Sequence, residues 1–447
     1  MTTHPSLERC RRDSERGAIL LQVATGCVIL IAFTMFVVDY GMMWVARRQA
    51  QNAADAGALA GAVALALDGD DGTQADGPAK TSAYQYAIAN QVLGVQPSVT
   101  DPTTGDATDV MFYNDNPAKF PAECATGGCI RVDVYRNQQR NNPVPAWFGA
   151  LVGVNNSGVR ATATAQAGIG DTTDCLKPWA VVDKWDQYWE GNMAVSPAPG
   201  PWTTAANFDK YLTRGPAAGT VDPSITTPDV YVAPNTTSTG TGFYPYSADG
   251  SFSPWYGLEI TLKLGNTNGN NAGYDYSSGW FLALQLTDSK GGNDYGNNIK
   301  RCIGVNYTIG DQLPIQTEPG DKVGPTRQAV LLDDERDGGG PSLINQDPTA
   351  YWDPTMSGGR GGVNGSQYSV SPRIVAVPLL NPDELAYAVK NGRASVPIVN
   401  IMGFFVEDMP DNKSVRGRLV TLPGLKASGA PKINAQSAFL KVIQLIR

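Results

Sequence analysis

The stretch GAILLQVATGCVILIAFTMFVV, residues 17–38, decides how this chain is organised. It contains no charged residue, and charge returns only at Asp39. As an α-helix, residues 18–38 would span about 32 Å, which matches the hydrocarbon thickness of a bilayer. In lipid, a single segment satisfies its backbone polar groups only as a helix. The stretch is therefore predicted to be a transmembrane helix.

The helix is predicted to continue well beyond the apolar stretch. Residues 39–67, DYGMMWVARRQAQNAADAGALAGAVALAL, contain no strong breaker before the DGDDG run that begins at Asp68. Ala, Leu, Gln and Arg all favour helix. The sequence thus predicts one long helix over residues 17–67, with its first half in the membrane. Residues 1–16 are short and polar and are predicted to be a disordered cytoplasmic tail.

The charges on either side of the apolar stretch predict its orientation. Four arginines lie within residues 9–16, whereas only Arg47 and Arg48 follow closely on the other side. By the positive-inside rule, the N-terminus is cytoplasmic and the bulk of the chain is extracytoplasmic. A cleaved signal peptide would have an apolar region of about 7–15 residues and a cleavage site close behind it. Here the apolar run is longer, so an uncleaved anchor is expected.

Polar and small residues along the helix are candidates for helix packing. Asp39 lies at the outer end of the apolar run, where an anion reaches water or pairs with a partner helix. Small residues then form a smooth surface that permits close helix approach, either by a partner or by the chain's own domain. The candidate packing residues are Gln22, Asp39, Gly57 and Gly61.

Composition excludes several classes of function. The net charge of −8, with no basic patch beyond the tail, argues against nucleic acid as a partner. His4, in the tail, is the only histidine, so the rest of the chain holds no Ser-His-Asp triad, Cys-His pair or histidine-ligated metal. The chain also contains no S-x-x-K motif. We predict no catalytic residue, no metal and no cofactor.

The cysteines divide at the membrane. Cys10 and Cys27 lie in the tail and the span, and four lie outside them. In an oxidising compartment these four predict two disulfides, for which three pairings are open. A local bridge is suggested by the turn ATGG between the first two, and a zinc site is the alternative, although the spacing lacks the usual C-x2-C pairs. The four residues are Cys124, Cys129, Cys175 and Cys302.

Beyond the helix, the sequence predicts an α+β fold in two parts. Residues 68–170 read as a small α+β unit in the order helix, strand, strand, helix, strand, with a helix over residues 81–94 capped by Thr81 or Ser82. Residues 171–447 read as a larger, mainly β outer domain, a sandwich or a mixed sheet, because short apolar runs alternate with Gly, Asn, Asp and Pro turns. Within it, residues 196–250 are loop-like.

The N-terminal region resembles a known family. Residues 15–65 are similar to the N-terminal domain of TadG-like proteins, which belong to the tight-adherence (Tad) machinery that assembles Flp-type pili in bacteria. The matching features are Arg16-Gly17, Asp39, Gly41 and the block QNAADA at residues 51–56. The resemblance implies a non-enzymatic pilus-assembly or minor-pilin-like component, anchored in the inner membrane with its bulk in the periplasm. Its implied partners are the lipid bilayer and other pilus-assembly proteins or pilins, met through the N-terminal helix.

Two departures from family patterns matter. Relatives cut by a prepilin peptidase carry a glutamate five residues after the glycine, whereas Gln22 follows Gly17 here. We therefore expect no cut after Gly17. Some relatives carry a D-x-S-x-S metal site, and the closest string here, DYSSG at residues 275–279, ends in glycine. No metal site is expected from it.

Two rival functions remain open from sequence. An envelope-anchored adhesin or carbohydrate-binding protein would stack a surface glycan on an aromatic cluster, whose alternative role is core packing. An acid hydrolase would use the carboxylates around Asp333, which read better as a solvated turn. The cluster's candidate ligand-stacking residues are Trp179, Trp185 and Trp189.

Overall fold

The computed structural model describes residues 6–67, 77–104, 109–126, 128–188, 202–204, 206–212, 215–248, 251–264, 276–286, 291–314, 322–333, 340–391, 395–427 and 432–446. The fold is α+β, a long N-terminal helix followed by mostly β structure, as the sequence predicts. The chain forms two compact units. Unit 1 comprises Met1–Gly61, Lys80–Ala165 and Leu445–Arg447, and unit 2 comprises Ala62–Ala79 and Gln166–Gln444.

The elements are as follows. The α-helices are α1 (Ser6–Leu67), α2 (Pro78–Ala89), α3 (Gly292–Lys300), α4 (Val323–Leu331), α5 (Met356–Gly359) and α6 (Pro382–Asn391). The strands are β1 (Val110–Phe112), β2 (Cys129–Arg136), β3 (Val144–Pro145), β4 (Asn156–Ser157), β5 (Val159–Ile169), β6 (Thr172–Thr173), β7 (Trp179–Val182), β8 (Glu259–Leu264), β9 (Trp280–Ala283), β10 (Tyr307–Thr308), β11 (Gln312–Pro314), β12 (Tyr351–Asp353), β13 (Gly362–Asn364), β14 (Ile374–Leu380), β15 (Ser395–Asp411), β16 (Ser414–Val420), β17 (Leu422–Pro423) and β18 (Leu440–Ile446). Short 3-10 helices are Pro102–Thr104, Tyr113–Asp115, Pro117–Lys119, Ala122–Thr126, Gln138–Arg140 and Gly149–Val152.

Helix α1 is continuous over 62 residues, which confirms the single long helix predicted from sequence. Its start corrects the prediction of a disordered tail, because the backbone is already helical from Ser6. The physical reason is cooperativity. Once the apolar stretch is helical, each added residue gains a hydrogen bond without a new nucleation cost, and the glutamates and arginines of residues 8–16 favour helix.

Helix α2 begins at Pro78, three residues before the predicted cap at Thr81. Proline suits the first turn of a helix, because the N–H that it lacks would have no intrahelical acceptor there. The helix ends at Ala89, and Val92 and Val95 then exchange backbone hydrogen bonds of 2.8 and 3.2 Å. Gly94 has a φ of 74° and belongs to this turn. It therefore lies beyond the end of the helix and does not terminate it.

Unit 1 builds its sheet on β2. Strand β1 pairs with β2 in antiparallel register, with Val110 opposite Val132, and β5 is the next neighbour of β2. Apolar and polar residues alternate along β2, where Ile130, Val132 and Val134 are buried and fill one face. Strands β3 and β4 form a separate antiparallel hairpin. The residues between them, 146–155, are called the hairpin tip below.

Unit 2 contains a closed mixed barrel. Its strands follow the order β15-β14-β7-β9-β8-β16, and β16 pairs back with β15. The β14–β7 and β8–β9 pairs are parallel, and the other pairs are antiparallel. Closure is possible because β15 is 17 residues long and offers one edge to β14 and the other to β16. A seventh strand, β11, pairs with the first residues of β15 in antiparallel register, outside this closed order.

Four described α-helices that lie wholly in unit 2, α3, α4, α5 and α6, were not predicted from sequence. Helix α3, GNDYGNNIK, consists largely of poor helix formers and is stabilised by burial of Tyr295 and Ile299. The sequence does contain a start signal for helix α6, because Asn381 immediately precedes Pro382. In the structure the Asn381 side chain accepts a hydrogen bond from the Asp383 N–H at 2.8 Å. Conversely, the short apolar run CIGVNYTI, residues 302–309, predicts a strand from its pattern, but only Tyr307–Thr308 forms one. Gly304, with a φ of 71°, interrupts the extended chain there.

The described residues between β7 and β8 contain no helix or strand, only isolated bridges such as Asp186↔Val230. They are nevertheless part of the core of unit 2. Phe208, Tyr231 and Phe243 are buried and pack in the main hydrophobic cluster with the barrel strands. Large aromatic side chains therefore anchor a segment that lacks backbone pairing.

Two disulfides are present among the described residues, as the sequence predicts. Cys124 bonds to Cys129 within unit 1, and Cys175 bonds to Cys302 within unit 2. Cys27 is free and exposed on α1.

Candidate functional site

The first part of α1 exposes a continuous apolar surface. The large apolar side chains from Ile19 to Val38, apart from the half-buried Met35, are 40–74% exposed, and the most apolar window of the helix is not buried in the protein. Thr25 and Thr34 donate hydrogen bonds of 2.8 Å to Leu21 O and Leu30 O, so their hydroxyls are satisfied within the helix. Gln22 is exposed. The helix is long and apolar enough to span a membrane.

Asp39, at the end of this surface, holds the hairpin tip. Its carboxylate accepts hydrogen bonds from the backbone N–H groups of Trp147 (3.1 Å), Phe148 (3.0 Å) and Gly149 (2.6 Å). These groups open the 3-10 helix Gly149–Val152, whose first N–H groups have no acceptor of their own. The sequence does not predict this role of Asp39, because its partners are more than 100 residues away and the tip carries no local signal.

We expect Asp39→Asn to lower the free energy of unfolding of unit 1 by about 1–3 kcal/mol, because the amide offers one acceptor oxygen without charge. Asp39→Ala should cost more, since it leaves all three N–H groups unpaired. Hydrogen exchange at Phe148 and Gly149 in the full chain measures the effect. Thr34→Ala, whose hydroxyl bonds only to its own helix, is the control. Equal protection of the tip in Asp39→Ala and the parent would contradict this role.

The small-residue surface of α1 packs closely on α2. A Cβ at Gly57 would lie 2.7 Å from Ala83 O and 2.9 Å from Ala87 Cβ. Ala53, Ala54 and Ala58 are fully buried, and Gly61 is buried as well. The structure therefore uses this surface for packing inside the chain, and Gly57 sets the approach of the two helices.

Gly57→Ala is expected to destabilise unit 1 by about 1–3 kcal/mol, because the added methyl group meets backbone and must push α2 away. Gly41→Ala is a matched control on the same helix, since nothing lies within 4 Å of its added Cβ. That variant should be neutral or gain up to about 1 kcal/mol from helix propensity. Thermal unfolding of the full chain in detergent compares the two. Similar shifts for both variants would contradict the close crossing.

A buried carboxylate organises the polar face of the unit 1 sheet. Asp133 accepts from Thr162 Oγ1 at 2.5 Å and pairs with Arg131 at 3.1 Å and Arg160 at 3.0 Å. The guanidinium groups of Arg160 and Arg140 lie 5.3 and 4.9 Å from the centre of the Tyr135 ring. Because the carboxylate is buried, these partners offset its desolvation cost.

An open cleft of about 530 Å³ lies beside this face, within unit 1. Gln51 spans part of it, donating hydrogen bonds to Asp55 at 2.8 Å and to Thr162 O at 3.0 Å. Lys119 and Arg131 add positive charge to the lining. Since the carboxylate of Asp55 lies among these two cations, the charge of the cleft lining is mixed.

The N-terminal helix carries a recognisable domain. Residues 17–64 match the family model described as putative Flp pilus-assembly TadE/G-like. The chain has an N-terminal Tad domain. Comparison with curated proteins and with solved structures gave no match. The Tad domain thus consists of the exposed apolar surface, Asp39 and the small-residue surface of α1, and it relates the chain to Flp pilus assembly.

The aromatic residues proposed for ligand stacking lie in the interior of unit 2. Trp179 and Trp185 are 0% exposed. Their indole N–H groups donate to Tyr295 Oη at 3.1 Å and to Gln187 Oε1 at 2.9 Å. Neither ring offers a face to solvent. Trp189 lies outside the described residues.

The carboxylates considered for acid chemistry do not form a described pair. Asp333 accepts hydrogen bonds from Ser342 N at 2.7 Å and Asn345 Nδ2 at 3.0 Å, and the Ser342 bond contributes most to lowering its pKa. It therefore stabilises a turn as an anion. The neighbouring Asp334, Glu335 and Asp337 lie outside the described residues. Among the residues that are described, no group of His, Cys, Asp and Glu has the arrangement of a metal site.

Unit 2 also buries ionisable groups that the sequence did not single out. Burial raises the pKa of Asp183 to about 6, although it accepts hydrogen bonds from Phe243 N at 3.0 Å and Tyr231 Oη at 2.8 Å. Burial lowers the pKa of Lys177 and of Lys441 to about 7. These groups are enclosed by protein, so they bear on stability rather than on chemistry with a ligand.

Proposed function

We propose that this protein is a membrane-anchored, non-enzymatic component of Flp pilus assembly, of minor-pilin-like type. The observation that carries the proposal is the Tad domain on a helix whose apolar surface is exposed over residues 19–38. Exposed side chains of this size and number are costly in water and favourable in lipid. The helix anchors the chain, and the two folded units contact other assembly proteins or pilins.

The orientation follows from charge. The arginines in residues 9–16 support an N-terminus in the cytoplasm and folded units in the periplasm of a bacterial inner membrane. The two disulfides support this side, because such bonds persist in oxidising compartments. An intact-mass measurement of the membrane fraction should return the full chain with its tail. A mass that corresponds to a chain cut after Gly17 would refute the uncleaved anchor.

Deletion of the chain is expected to abolish pili or change their number, and the full chain should restore them. A version in which a cleavable secretion signal replaces residues 1–38 delivers the folded units without the anchor and should not restore them. Tyr86→Ser, an exposed change in unit 1, is the matched control and should restore fully. Normal piliation in the deletion strain would refute the role in pilus assembly.

A further inference from the structure

An exposed tryptophan stands at the level where the apolar surface of α1 ends. Trp147 is 66% exposed at the hairpin tip, and Val154 of the same tip is 52% exposed. The Trp147 backbone N–H lies 3.1 Å from the Asp39 carboxylate. Asp39 directly follows the uncharged stretch, so the tip lies at the boundary of the apolar zone.

The same level of α1 carries the residues typical of a bilayer interface. Tyr40 and Trp44 are exposed, and they lie about 1.5 and 7.5 Å beyond Asp39 along the helix. Trp and Tyr concentrate where hydrocarbon meets headgroups. Arg47 and Arg48 follow at about 12–14 Å, beyond the hydrocarbon boundary, and the Arg48 guanidinium lies 5.5 Å from the Trp44 ring centre.

The hairpin tip is held in place rather than free. Strands β3 and β4 pair at its base, and Ala146 N donates to Asn155 O at 3.1 Å. Inside the tip, Val154 N donates to Gly149 O at 2.9 Å. Asp39 then fixes the tip to α1 through three N–H groups. Trp147 and Val154 are thus presented by a braced loop at one defined depth.

We infer that the hairpin tip is a second membrane contact, in which Trp147 and Val154 enter the lipid interface beside α1. The occupant is lipid, because the tip continues the apolar surface of the helix at the level of its Tyr and Trp residues. The inference rests on the proposed membrane anchor and adds a second point of attachment. Contact through both α1 and the hairpin tip would fix the tilt of unit 1 relative to the bilayer. A single helix does not fix this tilt.

Spin-label depth measurements on the full chain in phosphatidylethanolamine–phosphatidylglycerol vesicles test this inference. Cys10 and Cys27 are replaced by serine, and one nitroxide is attached through Trp147→Cys, Val154→Cys, Leu30→Cys or Tyr86→Cys. The ratio of collision with oxygen to collision with an aqueous nickel chelate reports depth. We expect labels at 147 and 154 to give ratios several-fold above that of the label at 86, with the deepest value at 30.

The outcomes separate the inference from the anchor. If the label at 30 is in lipid and those at 147 and 154 match the label at 86, the second contact is refuted while the anchor stands. If the label at 30 is itself aqueous, both fail. Labels at 147 and 154 that are shielded from oxygen and nickel alike would indicate contact between copies of the chain and would also overturn the inference. Adding Asp39→Ala should move the label at 147 toward water and leave the label at 30 unchanged.

Discussion

Replacing both Cys175 and Cys302 with serine is expected to lower the free energy of unfolding of unit 2 by about 5 kcal/mol. The bond joins residues that are 127 positions apart, and the loop that it closes contains β7, β8, β9 and α3. Cross-linking so long a loop removes much of the entropy of the unfolded chain. Because three of the six barrel strands lie in this loop, the barrel should lose stability as a whole.

The other disulfide is the matched control. Cys124 and Cys129 are 5 positions apart, so the same argument gives about 2 kcal/mol for Cys124→Ser with Cys129→Ser, and the loss should appear in unit 1. Hydrogen exchange of the full chain in detergent, followed through a denaturant series, resolves the two units. A larger loss from the short loop than from the long one would contradict the loop-entropy account.

The stability of unit 2 is expected to rise by several kcal/mol as the pH increases from 7 to 9.5. The pKa values of Lys177 and Lys441 fall to about 7 in the folded protein because both side chains are buried. In the unfolded chain lysine titrates near its ordinary pKa of about 10.4. Between these values the unfolded chain binds more protons, so raising the pH favours the folded state, by up to about 3 kcal/mol per lysine over this window.

Lys177→Met should roughly halve this rise, and adding Lys441→Met should remove most of what remains. Lys177 Nζ donates to Arg301 O at 3.0 Å, while Lys441 Nζ lies 4.2 Å from the Tyr246 ring centre. The exposed Lys426→Met is the control and should leave the slope unchanged. The series stops at pH 9.5 because burial raises the pKa of Tyr231 and Tyr246. Above pH 10 the unfolded chain therefore loses tyrosine protons before the folded protein does, and this lowers the stability of unit 2. A flat profile in the parent protein would refute the prediction.

Sequence predicted strands β1, β2 and β5 of unit 1 because their pattern is local, whereas the short strands β3 and β4 were not predicted. In β2, buried Ile130, Val132 and Val134 alternate with polar neighbours, and period-two alternation is a direct signal of a half-buried strand. Most barrel strands were also found as short apolar runs. Strand β7, WAVV, was read only as an aromatic cluster, because four buried residues do not define a period.

The candidate site was predicted only in part. The apolar stretch and Asp39 were visible in the sequence, and both belong to the matched Tad domain. The partner of Asp39 was not visible, since an acceptor at a helix surface does not specify which distant N–H groups will meet it. The same holds for Asp133, whose contacts with Arg160 and Thr162 join strands that are separated by the whole β3–β4 hairpin.

The long helix, its capacity to span a bilayer, the α+β class and the presence of disulfides could all be predicted before folding, because charge-free length, periodicity and cysteine number are properties of the chain. Four features became visible only in the folded protein: the pairing of the cysteines, the closure of six strands into a barrel, the burial of Trp179 and Trp185, and the hydrogen bonds from the hairpin tip to Asp39. Those outcomes depend on which distant segments come together, and burial and hydrogen-bond satisfaction are settled only after they have done so.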